Sequence, residues 1–315
     1  MKLIAEMREG DRISGIYLCK QKTSALTRNG KPYENLVLQD KSGMIDSKIW
    51  EPNSQGIANF EAMDFVDITG EVTLFSGSLQ LNIRRVRIAQ KGEYKPEDYL
   101  PVSSRDMEEM DRELKDYIGG VENPYLSALL KSFFYEDPDF LKAFRTHSAA
   151  KTVHHSFMGG LMEHTLSVAR MCTYMAGQYP LLKKDLLVTA ALLHDVGKIQ
   201  ELSDFPLNDY TDNGQLIGHI VIGAQMIHDR ARQISGFPPI LESELVHCIL
   251  AHHGELEYGS PKKPALAEAV ALNLADNTDA RLQTLTELYG ADAGRREWLG
   301  YNKIFESNMR RTDES

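Results

Sequence analysis

Ala190-Ala-Leu-Leu-His-Asp-Val-Gly-Lys-Ile-Gln200 decides how the larger part of this chain folds. From Leu186 to Leu193 the only polar side chain is Thr189, so the helix is buried nearly all round. The adjacent His194 and Asp195 that close it therefore need buried partners. A divalent metal is the most economical one, because it accepts a neutral imidazole nitrogen and a carboxylate together and cancels the buried negative charge. A metal needs more than two ligands. Working outward, the same half of the chain offers His164, His219, the pair His252-His253 and Asp276, each at or near the end of an apolar-periodic segment.

His164, then His194-Asp195, then Asp276, with Gly197-Lys198 just after the doublet, resembles the HD phosphohydrolase superfamily over roughly residues 145 to 285. The resemblance implies an all-helical, metal-dependent domain. The additional His219 and His252-His253 are similar to the pattern of its two-metal members. That implies one ion on His164, His194, Asp195 and Asp276, a second on His219, His252 and His253, and Asp195 bridging them at the catalytic centre. Two ions lower the pKa of a bound water, neutralise a phosphodiester and stabilise the leaving oxygen. Mixed His and carboxylate ligands suit manganese, iron, cobalt or zinc better than magnesium, and family membership tips the choice to manganese.

Lys198, one turn past Asp195, is placed to touch a non-bridging phosphate oxygen or the leaving group, and counts as catalytic with Asp195. Lys151, His154 and His155 lie in a basic loop before the helix carrying His164, where they are candidates to hold the substrate's terminal nucleotide. Glu163 is a candidate to orient an imidazole, and Asp279 is either another such residue or a solvated carboxylate.

The chain has 315 residues, about two domains' worth, and 42% hydrophobic content, which is ordinary for a globular protein. Its apolar runs are broken well short of a membrane span, and Met1 to Gly10 carries charges where a secretory leader has an apolar core. A cytoplasmic protein with no membrane contact is expected. Cys19, Cys172 and Cys248 are scattered and lack metal-binding spacing, so they read as small buried hydrophobes. The net charge of −10 argues against indiscriminate nucleic-acid binding, but it is unevenly spread. Residues 1 to 91 carry thirteen Lys or Arg against eleven Asp or Glu, the remainder twenty-two against thirty-four. A polyanion would be held first by the N-terminal part.

That part reads as strands. Ile13–Lys20, Tyr33–Gln39, Met44–Trp50, Phe65–Phe75 and Ser78–Ile88 are rich in β-branched and aromatic residues and separated by turn signals, with a short helical piece near Asn53 to Ala62. Five strands in this arrangement suggest an OB-fold barrel. In the last strand Leu79, Leu81 and Ile83 have one parity and Val86 and Ile88 the other, so a bulge is expected near Arg84-Arg85. Arg84, Arg85 and Arg87 then form a cationic strand. Tyr17, Tyr33, Trp50 and Phe75 are candidate stacking rings for single-stranded nucleic acid, with Trp50 on the same face as Lys48.

The expected organisation is a five-stranded OB-fold barrel over residues 1–92, a linker at 93–104 marked by Gly92, Pro96 and Pro101, and an all-α HD domain over 105–315. This pairing, with His154-His155-Ser-Phe-Met-Gly-Gly-Leu-Met-Glu-His164-Thr, resembles the YhaM family of bacterial 3′-to-5′ exoribonucleases over nearly the whole chain. The resemblance implies metal-dependent hydrolysis of single-stranded RNA, with single-stranded DNA a further candidate, to nucleoside 5′-monophosphates, and is compatible with a homo-oligomer. Two alternatives compete: a nucleotide or cyclic-dinucleotide phosphohydrolase, and a nucleic-acid-binding factor with a vestigial site. The Gly-Tyr-Pro motif of the cyclic-dinucleotide group is absent after His253, and a full ligand set argues against decay.

Overall fold

A computed structural model describes residues 1–151, 155–291 and 297–312. The chain divides into two compact units, Met1–Val102 and Ser103–Ser315. In the first, β1 (Arg12–Leu26), β2 (Pro32–Asp40), β3 (Gly43–Ile49), β4 (Phe65–Phe75) and β5 (Ser78–Ile88) close into a barrel in the order β1-β2-β3-β5-β4. Neighbours are antiparallel except β3 and β5, which run parallel. This is the OB-fold arrangement. Period-two alternation sorts the side chains: Ile45, Ser47 and Ile49 turn inward, while Asp46, Lys48 and Trp50 face out.

Tyr17 is core rather than a ligand-facing ring, fully buried with its hydroxyl donating to the Lys2 carbonyl at 2.6 Å. The bulge falls where the parity change requires it. Gly70 opposes Ile83 and Thr69 opposes Arg85, which leaves Arg84 as the extra residue. Gly70 permits the close approach, since a Cβ there would lie 2.5 Å from the Asn82 carbonyl oxygen.

Two expectations need correction in this unit. Residues 51–63 hold turns instead of a short helix: Pro52, Asn53, Ser54 and Gly56 favour turns, and Ile57 is pinned by a bridge to Val86. The segment after β5 is no free linker. Tyr94 stacks on Phe65 at 3.9 Å, Tyr99 and Leu100 are buried, and Gln39 donates to the Tyr99 carbonyl, so the unit runs on to Val102.

The second unit contains α1 (Met107–Gly119), α2 (Pro124–Phe134), α3 (Pro138–Thr146), α4 (Gly160–Gln178), α5 (Lys184–Leu193), α6 (Lys198–Glu201), α7 (Asp212–Leu216), α8 (His219–Ala231), α9 (Pro239–Ala251) and α10 (Ala267–Ala291). Helix starts follow cap chemistry. Asn123 accepts from the amides of Tyr125 and Leu126, and Asp137 from that of Phe140, each just before a proline. The cap of α1 is Asp106, while the Ser103 hydroxyl donates to Glu163.

At the centre lies α5, whose residues from Leu186 to Leu193 are all buried, with α4, α9 and α10 packed on it. The unit is not wholly helical. β6 (Trp298–Asn302) and β7 (Ser307–Arg310) form an antiparallel hairpin after α10, and Trp298 and Tyr301 stay exposed, because the tail is satisfied by its own backbone pairing. Among the described residues no helix is long and apolar enough to cross a membrane.

Gly70→Ala is expected to destabilise the barrel by about 1–3 kcal/mol, the usual cost of overpacking. A lowered urea midpoint of the barrel transition with unchanged metal content is the expected result. An unchanged midpoint would mean that β4 and β5 separate there without cost.

Candidate metal centre

Five histidines converge in the second unit, and each is anchored the same way. His194 and His252 cap the C-termini of α5 and α9, and their Nδ1 atoms donate to carbonyls three residues back, Ala191 at 2.8 Å and Ile249 at 2.7 Å. His164 Nδ1 donates to Asp279 at 2.7 Å, His219 Nδ1 to Glu201 at 2.8 Å, and His253 Nδ1 to the Tyr258 carbonyl at 2.9 Å. These oxygens only accept, so in each neutral ring Nδ1 carries the proton and Nε2 keeps its lone pair for a metal.

The Nε2 atoms form two sets. Ligand atoms of His164, His194 and Asp276 lie within 4.8 Å of one another, and so do those of His219, His252 and His253. Asp195 stands between the sets. Its Oδ2 is 3.3 Å from His194 Nε2 and 3.5 Å from His164 Nε2, whereas its Oδ1 is 3.5 Å from His219 Nε2 and 3.7 Å from His252 Nε2. Asp195 Oδ1, His219 Nε2 and His252 Nε2 are buried with no hydrogen-bond partner. Each such atom costs about 1–3 kcal/mol if left unmet. Three of them turned toward one space fit a cation that takes all three.

The electrostatics agree. Asp195, Asp276 and Glu201 act on one ammonium, Lys198, whose Nζ is 2.6 Å from Asp195 Oδ2. Burial opposes the charge of Asp195, yet Lys198 and the imidazoles of His194 and His219 hold its pKa well below the usual carboxylate range. Burial, reinforced by neighbouring imidazoles, pushes His252 and His253 down, which keeps both neutral as ligands must be. His164 goes the other way. Burial alone would lower it, but the carboxylates of Asp276 and Asp279 raise it to about 9.

Residues 161–281 match the HD domain family. Over 287 residues, covering 90% of this chain and 87% of the relative, the sequence is 33% identical to the 3′-5′ exoribonuclease YhaM of Geobacillus sp. (strain WCH70). The chain belongs to the YhaM family. Two solved structures are similar over shorter spans. The second OB-fold domain of replication protein A from Methanococcus maripaludis matches 29% of this chain and 96% of its own, at 18% identity and a TM-score of 0.22. An SSB domain from Synechococcus sp. matches 25% of this chain and 94% of its own, at 14% identity and a TM-score of 0.21.

In this YhaM-family chain the fold brings together all seven residues expected to bind metal, and Lys198 beside them. The expected substrate contacts are placed differently. Lys151 is engaged by Asp209 at 2.5 Å and lies over the Tyr210 ring. His155 is only 2% exposed, and its Nε2 meets Asp279 at 2.9 Å. The ring thus shares the Asp279 carboxylate that anchors His164. His154 lies outside the described residues. Glu163 accepts from the Ser103 hydroxyl at 2.5 Å, and among the described residues it has no hydrogen bond to an imidazole. Orienting the imidazoles falls to Asp279, as the sequence allowed, and to Glu201, which no local spacing announces.

On the barrel, half-exposed Trp50 stacks on Tyr33 at 5.3 Å and donates Nε1 to Asn82 at 2.8 Å. Lys48 Nζ sits 4.8 Å from the Tyr33 ring and 5.6 Å from that of Trp50. The cationic strand is largely spent: Arg84 pairs with Glu71 at 3.0 Å, and Arg87 with Asp67 at 2.7 Å and Glu93 at 2.8 Å. Arg85 runs beside Gly56.

A Cβ on Gly197 would lie 2.0 Å from the His219 carbonyl oxygen, so this glycine lets α8 come close enough for His219 to reach Asp195. Gly197→Ala is expected to displace His219 and to lower the bound metal read by mass spectrometry, with helical circular dichroism retained. Full metal content in the variant would show that the backbone contact does not set the ligand.

His164 carries a pKa above that of a free imidazole, so below about 9 an incoming ion must displace its proton. Metal affinity should therefore rise with pH through neutrality, by about tenfold per unit per displaced proton, and level off above about 9. Calorimetry in buffers of different protonation enthalpy reads this directly. Heats near neutral pH that do not vary with buffer would oppose it.

Proposed function

We propose that the chain is a metal-dependent 3′-to-5′ exoribonuclease that hydrolyses single-stranded RNA to nucleoside 5′-monophosphates at a centre of two divalent ions. The observation that carries this reading is Asp195, with one carboxylate oxygen toward each set of imidazoles. It occurs in a chain 33% identical over 287 residues to a protein named as an exoribonuclease. His164, His194 and Asp276 would hold one ion, His219, His252 and His253 the other, and Asp195 both, with manganese the ion best suited to such donors. Such ions would supply Lewis acidity to the phosphate and to the attacking water.

Lys198 contributes a fixed cation. Burial lowers its pKa, but Asp195, Asp276 and Glu201 more than reverse that, and the ammonium lines the cleft beside Asp195 where a non-bridging phosphate oxygen would sit. The barrel's role in this proposal is to grip RNA upstream. A base can extend the Tyr33–Trp50 stack while a phosphate meets Lys48, and stacking of this kind is worth about 1–3 kcal/mol per base. Stacking reads no 2′-hydroxyl, so single-stranded DNA is a further ligand. The proposal has the enzyme working in the cytoplasm and is compatible with a homo-oligomer.

The test is a 5′-labelled single-stranded RNA incubated with and without manganese, resolved at single-nucleotide steps beside a copy blocked by a 3′-phosphate. A manganese-dependent ladder shortening from the 3′ end, slowed by the block and absent in Asp195→Ala, is expected. No cleavage of any RNA by metal-loaded protein would turn the reading toward a small-nucleotide phosphohydrolase. Trp50→Ala should weaken binding of long RNA about tenfold, read by fluorescence anisotropy; unchanged affinity would remove the Tyr33–Trp50 face from the binding path.

A further inference from the structure

One face of α10 runs outward from the metal centre. Asp276, Asn277, Ala280 and Arg281 follow the spacing of a single helix face and line a cleft of about 580 Å³. Lys198 lines it where the centre opens, and Lys303, from the turn joining β6 and β7, lines it too. That volume lies in the range that holds a small organic ligand.

Two cations in this cleft have no employment. Arg281 and Lys303 are exposed, and neither side chain forms an ion pair or hydrogen bond among the described residues. Glu306 shares the lining without pairing with either. Elsewhere the comparable cations Arg84, Arg87 and Lys151 all sit against carboxylates. Five residues separate Asp276 from Arg281, a rise of about 7.5 Å along the helix. From there a cation reaches past a phosphate at the metal centre to the next one along the strand.

We propose that Arg281 and Lys303 form a subsite for the phosphate adjoining the scissile one on its 5′ side. The inference rests on the exoribonuclease reading and adds to it a substrate class: the smallest good substrate is a dinucleotide carrying a 5′-phosphate. Guanidinium and ammonium groups make charge-assisted bonds to phosphate oxygens that a 5′-hydroxyl cannot replace. The hairpin also gains a role, since it supplies Lys303. Digestion of RNA with a 5′-hydroxyl end should slow at the last dinucleotide.

The experiment compares kcat/KM of the full-length, manganese-loaded protein on a diribonucleotide with and without a 5′-phosphate, both with free 3′ ends. The ratio between the two substrates is the readout, so any general loss of activity cancels. Wild type should prefer the phosphorylated dinucleotide by about tenfold. Arg281→Ala and Lys303→Ala should each reduce the ratio, the double variant should bring it to about one, and Arg281→Lys should keep most of it. Metal content and melting temperature verify that the variants are folded.

A wild-type ratio near one, or a preference that survives in the double variant, overturns the subsite while leaving the exoribonuclease reading intact. Failure of wild type to cleave either dinucleotide or to shorten a longer RNA from its 3′ end overturns that reading, and the subsite with it.

Discussion

Asp195 is a carboxylate held almost out of reach of water, and the second unit is arranged to tolerate it there. Removing such a charge from water costs several kcal/mol even after relaxation. On α5 alone, Leu186, Leu187, Val188, Leu192 and Leu193 are buried, each worth about 1.5–3 kcal/mol. That one helix offsets the cost of its own terminal charge. What hydrophobic burial cannot do is give the carboxylate partners, and these come from Lys198 on one oxygen and from imidazole nitrogens around both. The centre is negative before any ion arrives, which is the condition under which a dication is drawn in and an anionic phosphodiester is not.

The positions of the ligands follow from helix chemistry. The last carbonyls of a helix have no amide to accept from. His194 and His252, each on the C-cap, donate Nδ1 to a carbonyl one turn back, so one hydrogen bond closes the helix and fixes the tautomer that leaves Nε2 bare. The residue after each cap, Asp195 or His253, can then turn into the centre. At the other end of a helix the orphan groups are amides, and there Glu201 accepts both the backbone amide and the Nδ1 of His219. His164 lies inside α4, where carbonyls are already used, and its anchor has to be a carboxylate from another helix, Asp279 on α10. His155 then bonds the same carboxylate, which accounts for a buried histidine in the loop before α4.

This distinction also separates what could be read from the chain alone from what could not. The His194-Asp195 and His252-His253 pairs are legible because cap, ligand and helix end are contiguous. The barrel and its bulge are legible because the inward parity of Ile83 and Val86 admits only an inserted residue between them. The anchor Glu201 is opaque to spacing, since it acts on a ring from a different helix, whereas Asp279 is legible as a candidate only because it lies one turn from Asp276 on the same face. That Arg84 and Arg87 meet carboxylates is opaque for a similar reason. Their exposure follows from alternation, but whether they remain free depends on Glu71, Asp67 and Glu93, which are adjacent only after the sheet forms or the chain folds back. The supposed linker packs through Tyr94 and Tyr99, aromatic residues whose reading as a spacer ignored how much surface they bury.

Two of the three arginines of β5, Arg84 and Arg87, are paired with carboxylates, and the protein as a whole carries a net charge of −10. Under the proposed reading, a single strand on this face would be held by ring stacking, with Lys48 beside Tyr33 and Trp50 as the local charge. Binding of that kind is short in range and tolerant of sequence, and a strand held by stacking can slip one base at a time without breaking a ladder of ion pairs. An enzyme that removes single nucleotides needs its substrate to advance after every cleavage. In the proposed division of labour, sequence-tolerant stacking contacts on the barrel would let the strand move, while the fixed charges at the metal centre would hold the phosphate on which chemistry takes place.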